Sequence, residues 1–216
     1  LMTEEINYAY DGGIYAELIR NRSFQDDHEK PLHWSIVSGD QKARIALDHK
    51  TFLNKANPVS LMLTVPAGGH ITGIANEGYW GIPVKPGEVY KGFFYAKADA
   101  EGDHVFKLSI TGDSANTVVY ATSTVRQAGS EWNKYSFELK TAADIQPTAK
   151  ARFVISTEQS GQYWFSLTSL FGQTFKNTPN GNRPDIMQLL SDMKPAFLRL
   201  PGGNYLEGGK FSTRFD

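Results

Sequence analysis

The chain has 216 residues, a formal net charge of −1 and no cysteine. This length suits one large domain, or one domain with a fragment of another. The balanced charge predicts no basic field for nucleic acid or anionic lipid, and no apolar run approaches the ~20 residues of a membrane-spanning helix. The absence of cysteine excludes disulfides and thiolate metal ligands, but it does not identify the compartment.

Residues 1–27 form the first of three blocks with different patterns. A short apolar-polar stretch leads into a Gly-Gly turn at 12–13. Ile14, Leu18 and Ile19 then recur at the spacing of one helix face. We therefore expect one strand and one helix in this block.

Residues 28–172 change to a period of two, which is typical of half-buried strands. Turn clusters such as PAGG, KPGE, AEGD and QSGQ separate the alternating runs. The clearest runs are Leu61/Leu63/Val65, Phe106/Leu108/Ile110, Tyr135/Phe137/Leu139 and Tyr163/Phe165/Leu167. This rhythm predicts an antiparallel sandwich, a jelly roll of about eight or nine strands.

Residues 173–216 return to a helical pattern. Pro184 suits a first helical position, and Asp185 complements the dipole of the first turn. An apolar stripe follows at Ile186, Leu189, Leu190 and Met193. Pro195 ends the predicted helix, and AFLRL (196–200) then reads as a buried strand because its apolar positions do not alternate.

The two flanking blocks therefore predict one architecture and the middle block another. The predicted fold is mainly β: a sandwich inserted into the first part of an α/β domain, since exposed loops tolerate insertions. The flanks hold at most two strands and about two helices, which cannot close a barrel. Because the chain starts at Leu1 without a start methionine or signal peptide and stops at Asp216, we expect both ends to be cut from something longer.

The turn Pro201–Asn204 follows the last predicted strand and is a candidate sugar site. Gly203 lets the backbone approach a ligand, and the Asn204 amide both donates and accepts, as sugar hydroxyls require. Pro-Gly-Gly-Asn is equally a common tight turn. Arg199, inside the apolar strand, needs an acidic partner. The arginine either forms a structural salt bridge or keeps a catalytic carboxylate ionised and oriented. Glu4 is either a hydroxyl ligand or a solvated side chain.

In the middle block, Tyr79 and Trp80 stand between glycines in NEGYWGIPV (76–84) and are candidates for stacking on sugar rings. Trp and Tyr more commonly fill cores, so a structural role remains the alternative. The five histidines lack the spacing of metal ligands, and no acidic cluster requires a metal. We predict no metal and no cofactor.

The flanks resemble the α-L-arabinofuranosidases of glycoside hydrolase family 51. The resemblance is carried by LMTEEINYAYDGGIYAELIRNRSF (1–24), by RPDIMQLLSDMKPAFLRLPGGNYLEG and by the terminal TRFD. The middle block resembles the carbohydrate-binding jelly roll that some members insert, chiefly through GYWGIPVKPGEVY. The resemblance implies that residues 1–6 and 196–200 are the first two strands of a (β/α)8 barrel, with ligands at their C-terminal ends.

The same resemblance implies roles for single residues. Glu4 and Asn204 would bind arabinose hydroxyls beside Gly203, and Arg199 would support the nucleophile. The family retains configuration with two glutamates on later barrel strands. Both would lie beyond Asp216, so this chain should be inactive alone.

The leading hypothesis is therefore the N-terminal part of an α-L-arabinofuranosidase acting on arabinan or arabinoxylan side chains. One alternative is a stand-alone carbohydrate-binding module without hydrolytic activity, and another is a sandwich that only braces the barrel. The expected partners are arabinose-containing polysaccharides and oligosaccharides, with neither nucleic acid nor membrane, and homo-oligomer formation through the catalytic domain is left open. An extracellular or periplasmic location is favoured over the cytoplasm.

Overall fold

The structure is a computed structural model that describes residues 1–3, 8–112 and 118–199, with 127 and 128 described by their backbone alone. These residues form eleven strands, one short 3-10 helix and one α-helix. The strands are β1 (Trp34–Ser38), β2 (Arg44–Asp48), β3 (Ser60–Val65), β4 (Thr72–Asn76), β5 (Ile82–Val84), β6 (Val89–Ala98), β7 (Asp103–Gly112), β8 (Val119–Ala128), β9 (Asn133–Lys140), β10 (Thr148–Thr157) and β11 (Gly161–Phe171). The 3-10 helix is Phe175–Asn177, and the α-helix, α1, is Pro184–Asp192.

The strands form two antiparallel sheets. The first sheet has the order β1-β4-β10-β7-β8, with β5 also paired to β10, and the second has the order β2-β3-β11-β6-β9. The predicted two-sheet sandwich is confirmed. The predicted number of strands was too low, because short strands such as β5 give too few residues for alternation to reveal.

The core lies between the two sheets and is rich in aromatic rings. Phe137 of β9 and Phe153 of β10 stack across the sandwich, with ring centroids 5.5 Å apart and planes 7° from parallel. Phe94 of β6 meets Phe106 of β7 edge to face at 6.0 Å. Such pairs add about 0.5–1.5 kcal/mol to the free energy of burial. The inward positions of the predicted alternating runs therefore hold the two sheets together, with one exception. The pairing of β11 with β6 shifts register between Ser166 and Ser169, so Leu167 lies outside the core and Leu170 is buried in it.

One buried tyrosine also carries polar interactions at the sandwich edge. Tyr163 of β11 is fully buried, and its hydroxyl donates to the carbonyl of Gln159 at 3.0 Å. The same hydroxyl lies 3.1 Å from Nδ1 of His104. Burial, with a further contribution from the negative charge of Asp99, raises the pKa of Tyr163 to about 12. The phenol therefore stays neutral and acts as a hydrogen-bonding group inside the core.

The helix predicted in the first block is not formed. Residues 8–27 contain turns and isolated bridges, and Asn21 and Phe24 adopt positive φ angles of 51° and 62° that no α-helix accommodates. The amide of Leu18 instead donates to the carbonyl of Leu170 in β11 at 2.9 Å. Ile19 and Phe24 are buried in the sandwich core. Of the three residues that suggested a helix face, Ile19 is therefore a core residue of an irregular segment, and Leu18 is partly buried against the same core.

The chain divides into two compact units, Leu18–Gly172 and the pair of segments Leu1–Glu17 with Gln173–Asp216. In the second unit, α1 begins at Pro184 as predicted, with Asp185 in its first turn. Asp185 accepts two hydrogen bonds from the Arg183 guanidinium, at 3.1 and 2.6 Å. This interaction lowers the pKa of Asp185 below its ordinary value.

Within the same unit, the first residues of the chain pair in parallel with residues 197–199. Met2 and Arg199 form a parallel bridge, in which the Arg199 amide donates to Leu1 at 2.8 Å and the Thr3 amide donates to Arg199 at 3.2 Å. The prediction that this strand is buried was wrong for its described part: Phe197 is 73% exposed and Leu198 is 57% exposed. Apolar composition suggested burial, but exposure depends on neighbouring elements that composition does not reveal.

No helix in the described ranges is long and apolar enough to cross a membrane.

Candidate functional site

The sequence-predicted flank residues are only partly within the described structure. Glu4, Gly203 and Asn204 lie outside the described residues. Arg199 is exposed, and among residues 1–3, 8–112 and 118–199 no carboxylate forms an ion pair with its guanidinium. The acidic partner that its position predicts is therefore not among these residues.

Tyr79 and Trp80 lie together in a turn between β4 and β5. Trp80 is 67% exposed, whereas Tyr79 is half-buried. The two ring centroids are 6.1 Å apart, with the planes tilted by 37°. The Arg20 guanidinium lies 5.9 Å from the centroid of the Tyr79 ring. The turn therefore presents the Trp80 indole to solvent, with Tyr79 and Arg20 behind it.

A buried asparagine fixes the start of this turn. Asn76, the last residue of β4, is fully buried. Its Oδ1 accepts from the amides of Arg20 and Gly78, at 3.2 and 2.9 Å. Its Nδ2 donates to the carbonyls of Arg20 and His33, at 2.9 and 3.2 Å. All four bonds tie backbone to one rigid amide, so the turn has a defined geometry.

Two glycines shape the rest of the turn. Gly78 and Gly81 adopt φ angles of +67° and +90°, and the Gly81 amide donates to the Glu77 carbonyl at 3.1 Å. A Cβ atom on Gly81 would overlap the carbonyl oxygen of Ala149, which lies in the irregular part of the β10–β5 pairing between Thr148 and Ala151. Only glycine satisfies both constraints. The turn that carries Trp80 is therefore pressed against β10.

The outer face of the first sheet, which we call the Ser/Thr face, lies beside this turn. Register pairs Val154 of β10 with Ala75 of β4 and with Ser109 of β7, and pairs Ser109 with Thr122 of β8. Six outward residues of the three central strands are small and buried: Gly73, Ala75, Ser109, Thr111, Val154 and Ser156. Their neighbours Lys107, Thr122, Thr124 and Arg126 are exposed. Small buried side chains thus form the floor of this face, and the longer Lys107 and Arg126 side chains lie beside it.

Two polar groups of the Ser/Thr face lack protein partners. Arg152 and Thr111 are directly opposite each other on β10 and β7. The Arg152 Nε and the Thr111 Oγ1 are buried and accept or donate no hydrogen bond among the described residues. Leaving a buried polar group unpaired costs about 1–3 kcal/mol. Such a group is ready to bind a ligand that supplies the missing hydrogen bond.

Sequence reasoning did not single out Arg152 or Thr111. The alternation around Ala151, Phe153 and Ile155 indicates that Arg152 faces away from the core. It does not indicate whether a carboxylate lies within reach, because that depends on strand order. The unpaired state of Arg152 is therefore a finding of the three-dimensional structure.

The outer face of the second sheet also carries aromatic rings, but they are less exposed than Trp80. Trp164 is half-buried, and its Nε1 donates to Oδ2 of Asp48 at 2.8 Å. The Lys97 ammonium lies 5.7 Å from the Trp164 ring, and the Lys134 ammonium lies 4.0 Å from the Phe93 ring. These contacts already cover part of each ring. The Ser/Thr face with Trp80 is the better candidate for an open binding surface.

No group of three or more histidine, aspartate or glutamate side chains among the described residues could hold a metal ion.

Comparison with known proteins identifies the family of the sandwich. Residues 16–161 match the family of a carbohydrate binding domain. The chain belongs to this family. The match covers β1 to β10 and ends where β11 begins. It includes the Tyr79–Trp80 turn and every strand of the first sheet, so the Ser/Thr face belongs to a carbohydrate-binding domain.

The resemblance of the flanks to α-L-arabinofuranosidases is also confirmed. The chain is 35% identical over 99% of its length to a probable α-L-arabinofuranosidase A of Aspergillus flavus, and 31% identical over 98% to α-L-arabinofuranosidase 1 of Arabidopsis thaliana. It superposes over its full length on an arabinose-bound family 51 α-L-arabinofuranosidase, with 32% identity and a TM-score of 0.88. The chain spans only 34%, 32% and 36% of these three proteins. The similarity therefore covers the carbohydrate-binding domain and both flanks of this chain, but only about a third of the length of each relative.

Proposed function

We propose that this chain is the N-terminal part of a retaining α-L-arabinofuranosidase that releases arabinose from arabinan or arabinoxylan side chains. The observation that carries the proposal is the parallel pairing of residues 1–3 with 197–199, on either side of the sandwich in sequence. A stand-alone binding module has no need for such a pair. Neighbouring parallel strands are how a (β/α)8 barrel begins.

The proposed domain organisation follows from this pairing. Residues 1–17 would supply the first strand region of the barrel, 18–172 the inserted carbohydrate-binding sandwich, and 173–216 a helix and the second strand. The first boundary lies at residue 17 and not at residue 27 because Ile19 and Phe24 are buried in the sandwich core. The parallel bridge and the helix α1 support the barrel assignment of the two ends. The catalytic glutamates would be supplied by later strands.

The site proposed for the flanks lies at the C-terminal ends of these two strands. Glu4 and Asn204 would bind the hydroxyls of the arabinose that is cleaved off, Gly203 would let the backbone approach it, and Arg199 would hold the nucleophile ionised. The similar family 51 structure is arabinose-bound, which supports arabinose as a ligand of the whole protein. The proposal requires no metal or cofactor and favours an extracellular or periplasmic enzyme.

Hydrolysis of an aryl α-L-arabinofuranoside by the full-length protein tests the catalytic proposal. Asn204→Ala should lower kcat/KM about tenfold or more, because an amide that binds sugar hydroxyls would be lost. Asn133→Ala, at an exposed position of β9, is the matched control and should leave the rate unchanged. An unchanged rate in Asn204→Ala would remove this residue from the site.

We further propose that the sandwich binds polysaccharide at Trp80 and the Ser/Thr face. Titration calorimetry of the 216-residue chain with arabinoxylan oligosaccharides tests this separately from catalysis. Trp80→Ala should weaken binding by about tenfold or more, since an exposed indole offers a large apolar surface to a sugar ring. Leu189→Ala on α1 is the control, because Leu189 is equally exposed at 68% and also apolar. Absence of binding by the unaltered chain would favour a sandwich that only braces the barrel.

A further inference from the structure

The Ser/Thr face carries more positive than negative charge, although the whole chain has a net charge of −1. Register and alternation turn four basic side chains of its strands outward: Lys107, Arg126, Lys150 and Arg152. Among the described strands of this first sheet, Asp103 is the one residue with a carboxylate. Glu77 and Glu158 lie directly beyond β4 and β10, and Glu77 is already bonded to Nδ1 of His33 at 2.7 Å. The face is therefore locally basic.

Arg152 is the central cation of this face. It stands on β10, between β7 and the turn that carries Trp80. A Cβ atom on Gly81 would lie 3.4 Å from the Cα of Lys150, which places the turn two residues from Arg152 along β10. On the other side, Arg152 is directly opposite Thr111, which is 6% exposed and has an unpaired hydroxyl. The turn that carries Trp80, the residue Arg152 and the residue Thr111 thus follow one another across β10 and β7.

We propose that this face binds a glycan that carries a carboxylate, as a uronic acid does, and that Arg152 binds the carboxylate. This inference rests on the proposed carbohydrate-binding function and names the ligand class of the same site. A planar guanidinium matches a carboxylate in a bidentate arrangement that a lysine cannot reproduce. The Thr111 hydroxyl pairs with a sugar hydroxyl, and the Trp80 indole packs on a sugar ring.

A neutral glycan would leave the guanidinium without an acidic partner. Amides and hydroxyls are sufficient to recognise neutral hydroxyls. An arginine that no carboxylate of the described residues pairs with therefore favours a ligand that supplies a carboxylate. A polyphosphate such as nucleic acid is less well matched, because the carboxylates of Glu77 and Glu158 flank the face and would repel an extended line of phosphates. The small floor residues instead suit a ring-shaped ligand with a single charge.

Calorimetry with two matched oligosaccharides tests the proposal on the 216-residue chain. One is a xylo-oligosaccharide that carries a single glucuronic acid, and the other is the same molecule with the carboxyl group reduced to a hydroxymethyl group. The acidic ligand should bind about tenfold more tightly in low salt, and added salt should reduce the ratio because exposed charges are screened. Arg152→Gln should remove the preference and leave binding of the reduced ligand within about twofold.

Two further variants separate a specific role from general charge. Lys140→Gln removes the same charge from an exposed position of β9 in the second sheet, and it should keep the preference. Arg152→Lys keeps the charge without the bidentate geometry, so it should show an intermediate preference. The thermal unfolding midpoints of all variants are measured first, and Arg152→Lys carries the test if Arg152→Gln fails to fold.

The outcomes are distinct. Equal binding of the two oligosaccharides by the unaltered chain would overturn the acidic-ligand proposal and leave the carbohydrate-binding function in place. Binding of neither oligosaccharide would overturn both. A short DNA duplex that binds as tightly as the acidic oligosaccharide would show general anion binding and would also overturn the proposal.

Discussion

Removing the Asn76 side chain should destabilise the sandwich more than any change to the exposed residues of the same turn. Asn76→Ala deletes four hydrogen bonds to backbone groups of Arg20, His33 and Gly78. Each hydrogen bond contributes about 1 kcal/mol net to the free energy of unfolding. A backbone group that stays buried without its partner costs more than this, whereas local rearrangement of the turn reduces the cost. We expect a loss of about 3 kcal/mol in the free energy of unfolding. This is a large share of the roughly 5–15 kcal/mol that stabilises a typical domain.

Urea unfolding followed by tryptophan fluorescence measures this loss. With a slope of about 2 kcal/mol per molar urea, the midpoint should fall by roughly 1.5 M. Asn133→Ala is the control, because the amide of Asn133 is exposed and makes one long bond of 3.3 Å to Glu131. A loss below about 1 kcal/mol in Asn76→Ala, with an unchanged slope, would refute the idea that this amide holds the turn.

A second substitution at the same position separates the donor bonds from the acceptor bonds. Asn76→Asp keeps an oxygen for the amides of Arg20 and Gly78 but points a carboxylate at the carbonyls of Arg20 and His33. Burial and these carbonyls should raise the pKa of the new acid above its unfolded value. A raised folded pKa means that stability falls as the pH rises through it. The variant should therefore be closest to the unaltered chain at acidic pH, and a pH-independent difference would contradict this reading.

Three further substitutions test separate parts of the sandwich by chemical unfolding. Gly81→Ala should lower the free energy of unfolding by more than about 2 kcal/mol, because its Cβ would overlap Ala149. Gly87→Ala, at φ +67° with open space around it, should lower it only by the ~1–2 kcal/mol that a left-handed backbone costs. Equal losses in the two variants would exclude the steric contact at Gly81. Partial burial acts to raise the pKa of Asp48, but hydrogen bonds from Lys50, Trp164 and Thr51 outweigh it and lower the pKa. The stability that these bonds contribute is therefore present above the unfolded pKa of Asp48 and is lost as the pH falls through the folded pKa. Asp48→Asn should accordingly be less stable than the unaltered chain at pH 7 and indistinguishable from it near pH 3, and a constant gap would argue against a charge effect. Tyr163→Phe should cost about 1–2 kcal/mol at neutral pH, because the Gln159 carbonyl loses its donor, and a neutral result would mean that water replaces the hydroxyl.

The sandwich was predictable from the sequence because its signal is local. In β7 and β11, apolar residues alternate with polar ones, and the inward set, such as Phe106 and Phe165, is the set that the structure buries. Strand order and the number of strands were not predictable in the same way. They depend on which edges meet across distant segments, as when β10 pairs with both β4 and β7.

The flanks show where periodicity misleads. Ile14, Leu18 and Ile19 have helical spacing, but residues 18–22 run beside β11 and Ile19 is buried in the sandwich core. A window of apolar residues cannot show whether they face a helix partner or a neighbouring sheet. Helix α1 was predictable because Pro184 and Asp185 mark its start through local chemistry.

Trp80 was identified from its glycine neighbours, and those glycines also explain why its turn suits binding. Trp80 is 67% exposed, so the protein does not gain the hydrophobic free energy that burying this indole would give. The turn is nevertheless held by the Asn76 amide and by the close approach of Gly81 to β10. A ring that is exposed but held in place loses little conformational freedom when a ligand packs on it, so a larger part of the contact energy appears as affinity. The combination of exposure and rigidity, more than the presence of an aromatic residue, is what favours a binding role over a packing role for Trp80.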